Sequence, residues 1–109
     1  MATVLKILGQ VAPLATTETE LYVCPALNET VISTLFVCNR SNVDTKFRVS
    51  VSEGGAATSN KDYIYYDVVV KGQDSFASTV GLTISAGDKI RVYSENVNLS
   101  FSLFGEETV

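Results

Sequence analysis

The sequence contains no histidine. That removes the commonest general base, the usual nucleophilic triad and the commonest metal ligand together. Charge is also sparse: 18% of the residues are charged, against roughly 25% in soluble globular domains. A surface so thinly charged is poorly protected from association, which predicts that a partner or further copies of the chain cover part of it. The 8 Lys and Arg against 12 Asp and Glu give a net charge of −4 with no basic run, and direct nucleic-acid binding needs clustered cations. No apolar stretch reaches the roughly 18 residues that span a bilayer, so no membrane partner is expected. The opening MATVLKILGQVAPLA is too short and too interrupted by Lys6, Gly9 and Gln10 for a signal peptide. Val4 to Leu8 reads instead as a first strand.

Cys24 and Cys38 are the only cysteines. If their segments pair across Pro25–Glu29, the two lie about 26 Å apart along the strand, beyond disulfide reach. Reduced, partly buried thiols are expected. Without a secretion signal, the sequons at Asn28, Asn39 and Asn98 are chance products of a Ser/Thr/Asn-rich chain.

What the chain does contain is alternation. In Asp88–Phe104, Ile90 and Val92 alternate with Lys89, Arg91 and Tyr93. Leu99, Phe101 and Leu103 alternate with Asn98, Ser100 and Ser102. Both runs carry the period of two of a half-buried strand, and Glu95-Asn96-Val97 between them suggests an antiparallel hairpin. Thr45–Glu53 alternates as cleanly, with Phe47, Val49 and Val51 inward. Thr30–Cys38 is apolar on both faces, Val31, Leu35 and Val37 on one and Ile32, Phe36 and Cys38 on the other. Such a strand is central in a two-layer fold or covered by another subunit. Asp62–Val70 is of the same kind. Leu21–Cys24 is a short strand, and Phe76 to Ile84 forms another strand face. Gly9–Thr19 and Gly54–Asn60 read as loops, the latter mobile, and Gly105–Val109 as a frayed tail. About eight strands with turns between them and no amphipathic helix predict a single-domain, all-β antiparallel sandwich. A jelly roll is the first expectation and an immunoglobulin-like sandwich the alternative.

No motif carries chemistry. Glu53, Asp62, Asp67, Asp74 and Asp88 fall at strand ends and turns, where carboxylates are solvated, and catalysis by a carboxylate pair needs a cleft. Gly54-Gly55 lacks the lysine and helix of a phosphate loop. Ser59-Asn60-Lys61-Asp62 sets a lysine where a calcium loop needs oxygen. Two cysteines without histidine make no ordinary zinc site. No catalytic residue, metal ligand or cofactor is therefore expected. Recognition is the remaining class. Tyr63 and Tyr65 share a face by parity; that face is core, or a protein interface, or a platform for a sugar ring. Ile32, Phe36 and an N-terminal contact arm (residues 1–8, with Val4, Leu5 and Ile7) are either subunit contacts or a second core layer.

The run Lys6-Ile7-Leu8-Gly9-Gln10 through Pro13, with Leu21-Tyr22-Val23 and Val37-Cys38-Asn39-Arg40-Ser41, resembles a family of small β-rich virion structural proteins of tailed bacteriophages, cyanophages included. Tyr65-Tyr66-Asp67, Gly87-Asp88-Lys89-Ile90-Arg91-Val92-Tyr93 and Leu99-Ser100-Phe101-Ser102-Leu103-Phe104-Gly105 extend the resemblance over nearly the whole chain. It implies a capsid decoration (cement) protein, non-enzymatic and homo-oligomeric with a trimer favoured. Such a protein binds the major capsid protein on the head exterior after assembly in the host cytoplasm. The alternative it implies is a tail-fibre or baseplate domain, acting as an adaptor or touching a host-surface glycan.

Overall fold

The structure, a computed structural model, describes residues 2–108. Its strands are β1 (Thr3–Val11), β2 (Thr19–Val23), β3 (Glu29–Asn39), β4 (Thr45–Ser52), β5 (Tyr63–Val70), β6 (Ser75–Ser85), β7 (Lys89–Ser94) and β8 (Leu99–Thr108). They make two four-stranded antiparallel sheets, β1-β8-β3-β6 and β2-β7-β4-β5. Every connection except β4–β5 passes from one sheet to the other. This strand order is the jelly roll expected from the sequence.

The expected closing hairpin does not form, because β7 belongs to the second sheet and β8 to the first. Ile90 and Val92 on β7 and Leu99, Phe101 and Leu103 on β8 are all buried. Set on opposite layers, the two apolar faces cover each other; side by side in one sheet they would need a third element above them. The Ser94–Asn98 connection is held by Ser94 Oγ–H to Asn96 O at 2.6 Å and by Asn98 N–H to Asn96 Oδ1 at 2.9 Å. Likewise β2, which Cys24 follows, and β3, which contains Cys38, lie in different sheets. Cys24 is buried, Cys38 is exposed, and both are free.

The ends of the chain also depart from expectation. Residues Gly105 to Thr108 are no frayed tail but the last part of β8, paired with β1 on one side and β3 on the other. The presumed contact arm is the edge strand β1, which runs on through Gly9 to Val11.

A tier of bulges crosses the first sheet. The β1–β8 register shifts between Ile7 and Gly9, and β3 shifts against both β8 and β6 between Ile32 and Thr34. The extra residue at Ser33 reverses the pleat, so Thr30 and Ile32 point inward below it and Leu35, Val37 and Asn39 above it. Ile32 is therefore fully buried core, while Val31 is exposed. At this level the backbones crowd: a Cβ on Gly105 would stand 2.2 Å from the Val31 carbonyl oxygen.

The core is a continuous layer of Ile32, Leu35, Val37, Leu99, Phe101 and Leu103 against Phe47, Val49, Ile90 and Val92. Phe47 joins the sheets, with ring centroids 5.3 Å from Phe76 and 5.9 Å from Phe101. Buried polar groups close the two ends. At one, Asn39 Nδ2 donates to the carbonyls of Val43 (2.7 Å) and Val70 (3.0 Å), and its Oδ1 accepts from Ser41. At the other, Tyr22 O–H donates to the Glu107 carboxylate and shares a 2.7 Å hydrogen bond with Thr30 Oγ1. Lys6 Nζ reaches the second Glu107 oxygen at 3.2 Å. Burial and the adjacent carboxylate push the Tyr22 phenol well above its ordinary range. The Tyr22 hydrogen bond, with help from Lys6, holds the Glu107 carboxyl below the usual carboxylate range despite its burial.

Two outcomes are expected. Gly105→Ala forces the β3 and β8 backbones apart and lowers stability by about 1–3 kcal/mol in thermal or denaturant melts. Glu107→Gln removes a charge-assisted bond to Tyr22 and costs about 1.5–3 kcal/mol at neutral pH. Because the folded pKa of Glu107 is depressed, its contribution is complete above the ordinary value near 4.3. It is lost as pH falls through the lower folded value. Acid melts of the variant should thus show a shallower loss than wild type.

Candidate functional surfaces

The outward registers of the two sheets differ in character. On the second sheet they carry Arg48, Arg91, Tyr93, Tyr63 and Tyr66. Arg48 lies opposite two β5 residues, Tyr66 and Asp67, at a bulge where Asp67 takes a left-handed φ of 53°. Its guanidinium sits 4.2 Å from the Tyr66 ring centre and 4.6 Å from that of Tyr93. Arg48 Nε donates to Asp67 Oδ1 at 2.7 Å. The pairing lowers the Asp67 carboxyl below its usual range and raises Arg48.

A second register shift, between Val49 and Ser50, separates the two tyrosines that parity placed together. Tyr65 faces inward, packed on Phe47 and Phe76, with its hydroxyl 2.6 Å from Ser78 Oγ. Tyr63 turns outward, its ring 4.9 Å from that of Tyr66 in an edge-to-face contact. One tyrosine is core and the other braces Tyr66.

The Gly54–Asn60 loop, expected to be mobile, is tied down over this sheet. Arg91 donates to Ser52 Oγ (2.9 Å), Ala56 O (2.8 Å), Thr58 Oγ1 (3.2 Å) and Gly55 O (3.1 Å). Asp88 anchors its start by accepting from Gly54 N–H at 2.7 Å and from Ser85 N–H at 2.8 Å. Asp62 closes its end, accepting from Ser59 N–H, which with Lys61 draws its carboxyl below the usual range. Asp74 accepts from Ser75 N–H. Four of the five carboxylates weighed for catalysis thus serve as turn caps or ion-pair partners. Among the described residues, no three His, Cys, Asp or Glu side chains converge on one point.

The first sheet is different. Its outward registers expose Leu5, Ile7, Val31 and Phe36, with Ser and Thr between them. Glu29 and Glu106 are the only charged residues on those registers among the described residues. Leu5, 81% exposed, and Ile7 on β1 and Val31 and Ser33 on β3 flank a groove of about 450 Å³, with Phe104 and Glu106 of the intervening β8 between them and Lys6 also lining it. The groove lies at the bulge tier, where the sheet bends. Phe36 abuts Phe104 edge to face at 5.7 Å. Of the residues the sequence singled out, Leu5, Ile7 and Phe36 come together here. Val4 lies on the inward register opposite Glu107, half-exposed at the sheet end. Ile32, Tyr63 and Tyr65 are not part of this surface. Sequence reasoning missed Val31, because the Ser33 bulge is invisible to parity, and Phe104, which it assigned only to a strand.

One turn stands apart. Pro25-Ala26-Leu27-Asn28 links β2 to β3 and closes with Asn28 N–H to Pro25 O at 3.2 Å. Leu27 sits at its third position with φ 68°, a type II geometry that favours glycine or asparagine. A left-handed leucine costs roughly 1–2 kcal/mol. Its side chain is 98% exposed, so no packing within the chain offsets that cost.

Arg91→Ala should free the loop while leaving the sandwich folded. Trypsin should then cut after Lys61 about tenfold faster, the effect of losing roughly 1.4 kcal/mol of local hydrogen bonding. Arg91→Lys should restore protection poorly, since one ammonium cannot reproduce the planar fork.

The chain is similar in fold to the nucleoplasmin-like N-terminal domain of Drosophila FKBP39, at 18% identity and a TM-score of 0.43, over 92% of this chain and 86% of that one. It is similar also to a pentameric capsid protein from metagenomic phage sequences, at 17% identity and a TM-score of 0.39, over 97% of this chain and 59% of that one. A second structure of a pentameric capsid protein from metagenomic phage sequences gives 18% identity and a TM-score of 0.32, over 97% of this chain and 64% of that one. The chain thus spans about three fifths of the length of those capsid chains. Likeness at this level concerns the fold alone. No protein-family model and no curated protein matches the chain.

Proposed function

We propose that the protein is a non-enzymatic virion structural subunit, a decoration protein that binds the major capsid protein on the outside of the mature head as a homo-oligomer. The observation that carries this reading is the outer face of the first sheet. It presents Leu5, Ile7, Val31 and Phe36 with no lysine or arginine on its outward registers among the described residues. Exposed apolar patches of this kind mark interaction surfaces. The resemblance of its sequence motifs to those of small phage virion proteins supports the major capsid protein as the partner. A protein that binds only the assembled, expanded lattice stabilises that lattice by mass action, without chemistry.

The geometry favours the glycan alternative less. Tyr66 is in contact with Arg48 on one side and Tyr63 on another, and Tyr65 is core. A flat, free aromatic platform for a sugar ring is not what this surface offers.

Purified protein should co-sediment with expanded heads that lack it, saturating at a ratio set by the shell lattice. Phe36→Asp places a charge on the apolar face, away from the core, and should weaken head binding at least tenfold, about 1.4 kcal/mol, with the melting temperature little changed. Failure of the wild-type protein to bind heads at any concentration overturns the reading. A point substitution suits this test better than removal of residues 1–6, because Thr3 to Lys6 form the start of β1 and pair with β8.

A further inference from the structure

Resting on the reading that this is a homo-oligomer, we infer that Leu27 of one copy inserts into the groove between Leu5 and Val31 of a second copy, making a head-to-tail contact. Two independent features point to it. Pro25, Ala26 and Leu27 are three consecutive exposed apolar residues at the tip of one turn, which in a soluble chain is an error unless the tip binds something. Leu27 also holds a left-handed backbone that asparagine or glycine would adopt with less strain. Thr16, Asp67 and Gln73 share that geometry, but each is tied within the chain: Thr16 N–H to Ser94 O, Asp67 to Arg48 and Gln73 N–H to Ser41 O. The type II turn sets the left-handed φ of Leu27, but its 98% exposed side chain finds no packing inside its own copy that offsets the cost.

The groove is the complementary part. Leu5 and Ile7 on one flank and Val31 on the other are apolar, Lys6, Ser33 and Glu106 supply its polar lining, and at about 450 Å³ it is large enough for the leucine with the neighbouring Ala26 and Pro25. Val23 to Asn28 carry no charge, so the tip itself brings no carboxylate towards Glu106, which lies between Leu5 and Val31 on β8. The exposure of Leu27 shows that it does not fill its own groove. Tip and groove occupy different places on the molecule, one at the β2–β3 end and one on the outer face of the first sheet. The contact is therefore heterologous, and such contacts close into rings or run on as filaments. It occupies the β1 side of the face and leaves Phe36 for the lattice.

The test uses two variants of the full chain, with mass measured by size-exclusion chromatography and light scattering over a range of concentrations. Leu27→Asn removes the knob and relieves the turn, so its melting temperature should equal or exceed that of wild type. Val31→Glu sets a carboxylate across from Glu106 and blocks the groove. Wild type should form a closed species of three or more copies, and each variant alone should associate at least tenfold more weakly. An equimolar mixture should yield a one-to-one dimer and nothing larger, because only the tip of the Val31→Glu copy and the groove of the Leu27→Asn copy remain intact. If Leu27→Asn assembles like wild type, or the mixture stays monomeric, the knob-in-groove contact is wrong while the homo-oligomer reading stands. If wild type is itself monomeric, both fall. Loss of head binding by a monomeric Leu27→Asn would then assign the tip to the capsid protein instead.

Discussion

The reversal of pleat at Ser33 governs what this sandwich hides and what it shows. Below the bulge, Thr30 and Ile32 join the core; above it, Leu35 and Val37 do. Without the extra residue, Ile32 would be left on the outer face and Val31 would enter the core. The shift is matched on β1 at Leu8 and on β6 between Leu82 and Thr79, so the whole sheet bends at one level. Bending draws the backbones of β3 and β8 together until only a glycine fits at 105. On the outer side the same bend opens the groove between β1 and β3. One local irregularity thus sets the core, the crowded backbone and the candidate contact surface together.

The second sheet meets the same need for cover from within the chain. Arg91 fastens the loop between β4 and β5 over it, and Arg48 lies between two tyrosine rings with Asp67 alongside. Its edges are guarded as well. β2 is a short strand whose Glu20 pairs with Lys89, and β5 is broken by two register shifts. Short, charged or bulged edges are how β-proteins discourage pairing with other chains. Among the described residues, the outer face of the first sheet leaves Leu5, Ile7, Val31 and Phe36 exposed. That asymmetry argues for partners on one side of the sandwich.

Much of the architecture was legible in the order of residues. Alternation marked Thr45–Glu53 and the two runs of Asp88–Phe104, apolar runs bounded by turns marked the other strands, and the scarcity of helical periodicity left only a two-layer β fold. The strand count and the jelly-roll expectation both follow from that. Leu5, Ile7 and Phe36, which the sequence left as either subunit contacts or a second core layer, are exposed on the outer face of the first sheet. The polar network at the closed end was not legible. Gly105-Glu106-Glu107-Thr108 looks like a solvated tail, yet the parity of Leu99, Phe101 and Leu103 carries straight on to Glu107. The Tyr22 hydroxyl supplies the partner that makes its burial tolerable.

By itself the sequence determined where most of the strands lie, about how many there are, and that the chain offers no histidine. These are local properties, written in a period of two and in composition. Tertiary structure alone decided which strands pair. Alternation shows that β7 and β8 each have an apolar face, but not whether those faces lie side by side or opposite each other across the core. It also decided the orientation of Ile32 against Val31 and of Tyr63 against Tyr65. Where both registers of a strand are apolar or aromatic, an inserted residue changes the inward set without changing the pattern. Only the packing of the neighbouring strands shows which set was buried.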